Sequence, residues 1–444
     1  MSSTPVNIWG KDTDLQTYDE MDKYQYERNL DAFNTDVKKS MWVSQQPFKI
    51  PDFDENDVYS SPVTPNTKRF YPSMKYGNYL LHVWLRVKIP AVSLTTDNKY
   101  GSLGTIRWTK NLLHNLVEEC NFSLNDLTCN FLDSTRLDFW TAFTTPVDKR
   151  KNYKEMIGNI EQLTKPHGPG EPIEEKWLTL PVPFFFTRDT TVAFPLTSCG
   201  YVRPTISLKL RNLKNLLEFT DGINYSVPED EDVCSEWNTT IECWGNYASI
   251  GKEAQQKLIT VPRDMLIEQM FISRERITKE NVNSFAQPLR FCHSVKALLF
   301  GVQNITHSNV KSNYAVNSAF GPKSPLKSAS LVYICDDDNS IITRLDNMES
   351  DYFTTINPWY SGFIVPDEIG YHAYSYARNS IDITPSGSTN FTMLVNVQIR
   401  PIFSDDLIAA VTSDENPQTF EFFTIALSTN ILRFNQGTAG FPIL

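Results

Sequence analysis

Residues 80–90 read LLHVWLRVKIP, and this stretch decides the class of fold. From Leu81 to Ile89 every second side chain is a branched aliphatic. This period of two is expected when one face of a β-strand is buried and the other faces water. The remaining positions would form the outer face of the strand, and they are His82, Trp84, Arg86 and Lys88.

The same period of two recurs along the chain. In PTISLKLR at 204–211 and FTMLVNVQIR at 391–400, alternate apolar residues are again predicted to share a buried face. Further strands are predicted at TTIECWGNYA, SVKALLFGVQN, KSASLVYIC and FEFFTIAL, whereas helices are predicted mainly at NLLHNLVEEC and VDKRKNYKEMIGN. Many short strands joined by turn-rich links are typical of a β-sandwich or barrel. We therefore predict an all-β fold with a few short helices in its loops.

The chain has 444 residues, which is enough for two to three domains. Polar residues dominate its start, where TDLQTYDEMDKYQYERNL predicts a short helix within an arm. A strand ending near residue 211 is followed by an acidic loop containing PEDED, so the main boundary is placed at 212–235. An aromatic and proline-rich stretch precedes an alternating strand in each half. We predict an arm at 1–45 and two copies of one β-sandwich at 46–215 and 216–444.

Charge and motif content exclude several classes of function. The chain has 52 acidic and 41 basic residues, and its net charge of −11 repels phosphate backbones, so direct nucleic-acid binding is not expected. The start MSSTPVNIWGKDTD lacks an export signal, and no apolar run approaches the ~18 residues that cross a bilayer. Phosphate-binding glycine loops, the nucleophile elbow and the H-E-x-x-H pattern are absent. We predict no catalytic residues and no cofactor.

Metal binding is not predicted either. The seven cysteines lack C-x-x-C spacing, which favours buried thiols in a reducing compartment. The six histidines are scattered, and the run Asp336, Asp337 and Asp338 lacks the glycine turn and spaced ligands of a calcium loop. The basic run KRKNYK at 149–154 is predicted to be solvated or to form ion pairs.

Residues 181–196, PVPFFFTRDTTVAFPL, are the strongest candidate for a functional surface. Counting by twos from Trp177, both faces of a strand here would be largely apolar, and the prolines place it at a sheet edge. Such an edge needs cover, which the protein's own loops or a second subunit could supply equally well. Arg188 and Asp189 are predicted to close the turn. The candidate interface residues are Pro181, Pro183, Phe184, Phe185, Phe186 and Arg188.

Several segments, taken in order, resemble the major capsid proteins of iridoviruses and related nucleocytoplasmic large DNA viruses. They include TYDEMDKYQY, GTIRWTKN, MIGN, LPVPFFFTRD, VPRDMLIEQ, VKALLFGVQNITH, KSASLVY, NPWY, HAYSYARN, PSGSTN and the terminal GFPIL. The resemblance spans nearly the whole chain. It departs from the iridovirus pattern after residue 26 and around residues 228–236, and a marseillevirus-like relative fits equally.

The resemblance implies two tandem eight-stranded jelly rolls and a homotrimer whose copies tile the icosahedral shell of a virion. It also implies partners among minor capsid and penton proteins and inner viral membrane proteins, with assembly in a virus factory of the host cytoplasm. A close alternative is a transient double-jelly-roll scaffold that shapes an immature virion. A more distant alternative is a β-sandwich carbohydrate-binding protein or glycosidase, because WGNY, INPWY and YHAYSYA supply aromatic residues that stack on sugars.

Overall fold

A computed structural model gives the fold of most of the chain. It describes residues 42, 44–52, 67–125, 127–222, 224–235, 237, 239–318, 321–334, 341–394, 396–414 and 417–442. The helix predicted at 13–30, the three aspartates at 336–338 and Cys335 lie outside these residues.

Strands dominate the first half of the described chain, as the alternating patterns predict. In order they are β1 (Ser44–Ile50), β2 (Thr67–Phe70), β3 (Tyr79–Ile89), β4 (Val92–Leu94), β5 (Thr105–Trp108), β6 (Val117–Leu124), β7 (Leu127–Leu132), β8 (Pro172–Ile173), β9 (Lys176–Val182), β10 (Phe194–Pro195), β11 (Pro204–Leu210), β12 (Leu217–Thr220), β13 (Tyr225–Ser226), β14 (Val233–Cys234) and β15 (Thr240–Ser249).

Two of the sheets in this half form a sandwich. One has the order β1-β15-β3, with β9 and β10 both pairing with the far side of β3, and the other has the order β2-β11-β6-β7. Val83 and Leu85 of the first sheet lie in one buried cluster with Phe122, Ile206 and Leu208 of the second. The strands β4, β5, β8, β12, β13 and β14 form two small sheets beside this sandwich.

The second half repeats this arrangement. Its strands are β16 (Arg263–Ile277), β17 (Gln287–Pro288), β18 (Ser294–Asn304), β19 (Val316–Ser318), β20 (Gly321–Lys323), β21 (Leu326–Ile334), β22 (Ile341–Glu349), β23 (His372–Ser375), β24 (Thr389–Asn390), β25 (Val397–Phe403), β26 (Phe420–Asn435) and β27 (Thr438–Gly440).

The sheet orders of the two halves correspond strand for strand. In the second half they are β16-β26-β18-β23, with β24 also on β18, and β17-β25-β21-β22. In each half the first strand pairs with the last long strand. If β9 and β10 are counted as one position on β3, and β23 and β24 as one position on β18, each half has eight strand positions in two sheets, with the short β27 added on β26. This is the jelly-roll arrangement. The prediction of two eight-stranded sandwiches is confirmed, and they are called roll one and roll two below.

The extent of roll one differs from the sequence-based division. β15 pairs with both β1 and β3, and β12 pairs with β5, so strands as late as residue 249 belong to the sheets of the first half. The sequence patterns predicted that residues 216–249 belong to the second sandwich. The acidic loop at 228–232 is therefore a connection within the first half of the molecule.

Helices occupy the connections between strands. They are α1 (Leu112–Leu116), α2 (Ser134–Thr144), α3 (Val147–Ile157), α4 (Glu161–Thr164), α5 (Lys252–Thr260), α6 (Asn357–Tyr360) and α7 (Asp405–Thr412), with a π-helical turn at Tyr352–Ile356 and 3₁₀ turns at Gly101–Leu103, Phe185–Thr187, Thr190–Val192, Leu196–Ser198, Leu213–Leu216 and Phe391–Met393. No helix among the described residues is both long and apolar enough to span a bilayer.

Three of these segments test the sequence-based helix and strand predictions. VDKRKNYKEMIGN forms α3, which ends at Gly158 with a φ of 85°, a value that glycine adopts readily. NLLHNLVEEC instead divides into the short helix α1 and the strand β6. FTMLVNVQIR was predicted as one strand, but it begins as a 3₁₀ turn, and β25 starts only at Val397. Asn396, with a φ of 53°, interrupts the extended backbone immediately before it.

The core of roll two contains an uncharged histidine. The His372 ring stacks on Phe300, with centroids 5.5 Å apart, and its Nε2 lies 3.0 Å from the Ser350 hydroxyl. Burial lowers the pKa of His372 to about 4, because the low-polarity surroundings disfavour the imidazolium.

This pKa predicts an acid sensitivity of the fold. The unfolded chain binds a proton to His372 near pH 6.5, whereas the folded chain does so only near pH 4. The free energy of unfolding should therefore fall as the pH drops from 6.5 to 4. Urea titrations at several pH values should show a shallower fall in His372→Gln than in the parent. An equal slope in both proteins would contradict this assignment, and His167→Gln near the surface serves as the control.

Candidate assembly interfaces

The joint between the two rolls contains the phenylalanine run. After β9 the chain turns, and Phe184, Phe185 and Phe186 become 0, 3 and 1% exposed. Their ring centroids lie 5.6, 6.0 and 5.0 Å from that of Phe122, so they fill one end of the roll-one core. Phe194 closes the same cluster and lies 5.9 Å from Phe434 of roll two. The protein's own two rolls therefore cover these rings.

A buried group of charges lies directly after the phenylalanines. Arg188 of roll one forms an ion pair with Glu268 on β16, and Lys296 on β18 contacts the same carboxylate at 2.8 Å. The Arg188 guanidinium also stacks over the Trp140 ring of α2 at 4.6 Å and donates to the Ile381 carbonyl. The Lys296 and Glu268 side chains are only 2 and 4% exposed. One carboxylate of roll two thus holds a cation from each roll.

Burial disfavours the charged form of both basic side chains. It lowers the pKa of Arg188 to about 10 and that of Lys296 to about 8, with Arg188 further lowering the pKa of Lys296. Removal of one partner from a buried pair typically costs ~3–5 kcal/mol, because the remaining charge stays buried without compensation.

Arg188 does not close its own turn as predicted. Asp189 does so, since its carboxylate accepts from the Thr190 amide.

A second polar cluster joins α2 to roll two. Asp138 on α2 accepts hydrogen bonds from the Ser312 hydroxyl at 2.5 Å and the Tyr314 hydroxyl at 2.8 Å. His114 Nδ1 lies 2.6 Å from the same carboxylate, and His114 Nε2 lies 2.7 Å from the Tyr153 hydroxyl. Since a carboxylate only accepts, Nδ1 carries a proton and donates it to Asp138. Every polar side chain of the cluster is therefore satisfied internally.

The chemistry available at this cluster is limited. Burial, reinforced by the nearby Asp138 charge, raises the pKa of Tyr153 and of Tyr314 above the usual value, so both phenols stay protonated. The adjoining cavity measures about 50 Å³, far below the roughly 300–1,000 Å³ of a typical small-molecule site. The cluster is suited to fixing α2 against roll two rather than to binding a substrate.

Ion pairs reinforce the same joint at the surface. Arg150 and Lys154, from the basic run KRKNYK, pair with Asp367 and Glu368 of roll two, the latter at 3.0 Å. The prediction that this run forms ion pairs is confirmed.

The outer face of the β1-β15-β3-β9 sheet is a different kind of surface. Pro181, Trp84 and Trp244 lie side by side across three strands, and the two indoles stack with centroids 6.4 Å apart. Trp177 of β9 is 39% exposed and lies under the Arg86 guanidinium. The face also carries Lys49, Lys88, Glu175 and Glu242. It is a flat patch of aromatic and charged side chains.

A second exposed aromatic group lies on roll two. The π-helical turn at Tyr352–Ile356 leads into α6, where Trp359 and Tyr360 are 74 and 78% exposed. These residues belong to the aromatic stretch INPWY at 356–360.

The described residues contain no group of histidine, cysteine and acidic side chains that could hold a metal ion. Cys120, Cys129, Cys199 and Cys243 are free and buried, whereas Cys234 and Cys292 are free and exposed. Burial raises the pKa of the thiols of Cys120, Cys129 and Cys199 to about 12, which keeps them protonated.

Two family models and several known proteins match this chain. A family described as "Major capsid protein N-terminus" matches residues 32–250, and one described as "Large eukaryotic DNA virus major capsid protein" matches residues 255–440. The major capsid protein of Invertebrate iridescent virus 6 is 34% identical, with all of both chains covered. The chain belongs to the major capsid protein family of large eukaryotic DNA viruses.

Other proteins similar to this capsid-family protein are also viral capsid proteins. The major capsid protein of Invertebrate iridescent virus 3 is 36% identical, with 97% of this chain and 98% of the relative covered. A chain of the PBCV-1 virus capsid superposes with a TM-score of 0.67 at 16% identity, covering 92% of this chain and 98% of the other. The Faustovirus major capsid protein gives 0.64 at 11% identity, covering 90 and 92%. These structures share the double jelly-roll fold, and the carbohydrate-binding alternative is not favoured.

The six candidate interface residues of the capsid-family protein separate into two groups. β9 pairs with β3 alone among the described strands, so the predicted sheet edge is present, and Pro181 lies on its outer face. Pro183 is half-buried where the chain leaves β9. The other four residues are buried in the joint within one chain, and they are Phe184, Phe185, Phe186 and Arg188.

Sequence reasoning missed α2, Glu268, Lys296 and Asp138. The sequence STRLDFWTAFT of α2 lacks a clear apolar stripe, because Phe139 and Phe143 contact roll two while Asp138 serves the polar cluster. One signal for Glu268 was present in VPRDMLIEQ, where a lone acid stands in a strand with apolar residues on both faces.

Loss of the shared carboxylate should weaken the joint strongly. In Glu268→Ala, Arg188 and Lys296 lose the carboxylate that they share, and Asp382 is the counter-charge that remains near both, so we expect about 3 kcal/mol less stability. The matched control is Asp414→Ala, which breaks the pair with Lys279 at a carboxylate that is 97% exposed. That control should leave the urea midpoint nearly unchanged, because an exposed ion pair contributes little to stability. Equal midpoints for both variants in urea unfolding would refute a structural role for the buried group.

Phe185→Asp should prevent folding rather than only assembly. It removes a ring that is 3% exposed and buries a carboxylate in its place, so we expect a loss of more than about 3 kcal/mol. Tyr201→Asp, at a side chain that is 81% exposed, is the control. Circular dichroism melting curves distinguish the two. A folded Phe185→Asp chain with the parental melting temperature would mean that the ring lies outside the core.

Proposed function

We propose that this protein is the structural major capsid subunit of a large double-stranded DNA virus and works as a homotrimer that tiles the icosahedral shell. The observation that carries the proposal is the tandem pair of jelly rolls over the whole described chain, together with full-length similarity to iridescent virus major capsid proteins. Its function lies in its surfaces, and we propose no catalytic activity and no cofactor.

The architecture supports a trimer on physical grounds. Each chain supplies two rolls with the same strand order, so three chains around a threefold axis present six similar units. Such a pseudo-hexagonal block can tile a plane. Cyclic threefold closure requires heterologous contacts, in which one patch meets a different patch on the next subunit. The two exposed aromatic surfaces are different patches of this kind.

We further propose a domain division at α5. The arm would end before β1, roll one would extend from β1 to residue 250, and roll two would begin with β16. The pairing of β15 with β1 supports this division, as do the family matches ending at 250 and beginning at 255. It replaces the boundary at 215 and 216 that the sequence patterns suggested.

A role in the shell suggests the other partners of the trimer and the place where it assembles. We propose that the trimers contact one another, minor capsid proteins and penton proteins, and that inner viral membrane proteins lie beneath them. Assembly would take place in a virus factory of the host cytoplasm. The net charge of −11 supports a shell without direct contact to the genome.

Light scattering after size-exclusion chromatography tests the trimer. We expect a single species of about 150 kDa, three times the 50.9 kDa chain, stable at micromolar concentration because obligate interfaces bury more than about 2,000 Å². A persistent monomer would contradict the proposal. The scaffold alternative predicts that purified mature particles lack the protein, whereas a shell subunit should be their most abundant component.

A further inference from the structure

The central part of the outer face of the β16-β26-β18 sheet is covered by described residues of the same chain. Phe423, Ile425 and Leu427 of β26 point away from the roll-two core, yet each is no more than 2% exposed. Roll one supplies the cover through α2, the helix between its strands β7 and β9. The Phe139 ring of α2 lies 4.9 Å from that of Phe423.

Backbone shape shows how close this contact is. A Cβ atom added at Gly301 on β18 would lie 2.7 Å from the Phe139 ring. The helix therefore rests against the sheet at a position where only glycine leaves room. The contact between α2 and the neighbouring roll is a specific docking geometry.

The corresponding sheet face of roll one is not covered by any of the described residues. By the matching strand orders, β3 and β15 correspond to β18 and β26. Every described outward side chain on β18 and β26 between residues 296 and 302 or 422 and 428 is buried, whereas Trp84 and Trp244 are only half-buried. Trp177 beside them is 39% exposed. Among the residues that the structure describes, nothing packs across these indoles as α2 packs on roll two.

The element that corresponds to α2 is also open. In roll two the connection from β22 to β23 holds the π-helical turn and α6, in the same place between strands as α2 in roll one. Phe353 of this connection packs inward on Phe300. Ile356, Trp359 and Tyr360 are 48, 74 and 78% exposed. In α2, by contrast, Phe139 and Phe143 are 0% exposed because roll two covers them.

We propose that Trp359 and Tyr360 of one subunit pack on the Trp84 and Trp244 sheet face of the next subunit, repeating between chains the contact that α2 makes within one chain. This inference rests on the proposed trimer and names its contact surfaces. A second copy of this chain is the occupant, since it carries both the open face and the open helix. Three such contacts alternate with three internal ones and close a ring of six rolls.

The chemistry of the two surfaces fits this contact. Tryptophan and tyrosine bury 150–250 Å² each and dominate interface energies when they meet in a desolvated centre. Pro181 extends the flat surface beside Trp84, so the predicted edge strand borders the contact. The sheet face carries three cations, Lys49, Arg86 and Lys88, against two carboxylates, while exposed Glu349 and Asp351 precede α6. Charge at the rim therefore favours the same pairing.

Two double variants test the pairing. The helix variant is Trp359→Ser with Tyr360→Ser, and the sheet variant is Trp84→Thr with Trp244→Thr, in which threonine keeps the strand propensity. Each should fold with the parental far-ultraviolet circular dichroism and should lose the species of about 150 kDa. Tyr201→Ser removes an equally exposed aromatic elsewhere and should leave the trimer intact.

Mixing the two variants gives a sharper result. A sheet-variant subunit still offers an intact helix, and a helix-variant subunit still offers an intact sheet face, so one good contact can form between them but a ring cannot close. Light scattering of the mixture should show a heterodimer of about 100 kDa, twice the 50.9 kDa chain, and no trimer. Neither variant alone should form it.

The outcomes separate this inference from the proposed function. If the parent protein is a monomer, the proposed function fails. If the parent is a trimer and the helix variant remains one, this contact is overturned while the trimer stands. A sheet variant that melts early beside a trimeric helix variant also overturns it, because the two indoles then stabilise the single chain rather than the contact between subunits. Should the sheet variant not fold, the helix variant decides the case alone, since its residues lie at the surface.

Discussion

The structure depends on one constraint, which is that β26 is apolar on both faces. Phe420, Phe422 and Ala426 fill the core of roll two, while Phe423, Ile425 and Leu427 point outward. A sheet with two apolar faces cannot face water, so roll two is stable only with a neighbour against it. Roll one supplies that neighbour through α2 and the phenylalanine run. The two rolls are therefore one packing unit, and their joint contains part of the larger hydrophobic core.

Polar groups within this joint fix its alignment more than they add stability. The Arg188, Glu268 and Lys296 group must be desolvated, and apolar residues of similar volume often stabilise a protein as well. A misaligned joint, however, would leave these charges and the Asp138 carboxylate without partners. The cost of burying unpaired charge thus selects a single arrangement of the two rolls. This selectivity matters for a subunit that must present the same surfaces in every copy.

Sequence patterns predicted those parts of the fold that follow from one face being buried and the other wet. β3 and β11 belong to this class, and their alternation was sufficient. The patterns failed where the position of a residue is determined by contact with a partner distant in sequence. α2 lacks an apolar stripe because its side chains serve two rolls and a polar cluster, and Arg188 pairs with a carboxylate eighty residues later. β15 was assigned to the wrong half of the fold by sequence because pairing with β1, about two hundred residues earlier, leaves no local trace. At the candidate site, the edge position of Pro181 was predictable from proline chemistry, whereas the inward turn of Phe184 required the structure.

The pairing of first and last strands has a consequence for synthesis. Lys49 on β1 contacts Glu242 on β15, a separation of 193 residues, so roll one cannot complete its sheet until residue 249 has been made. β16 must then wait for β26, and until both rolls have closed the outward phenylalanines of β26 are exposed. Contacts of such long range form slowly, and exposed apolar strands in the interval favour aggregation. The chain is therefore most prone to aggregate in the interval between the closing of roll one and the pairing of β26 with β16.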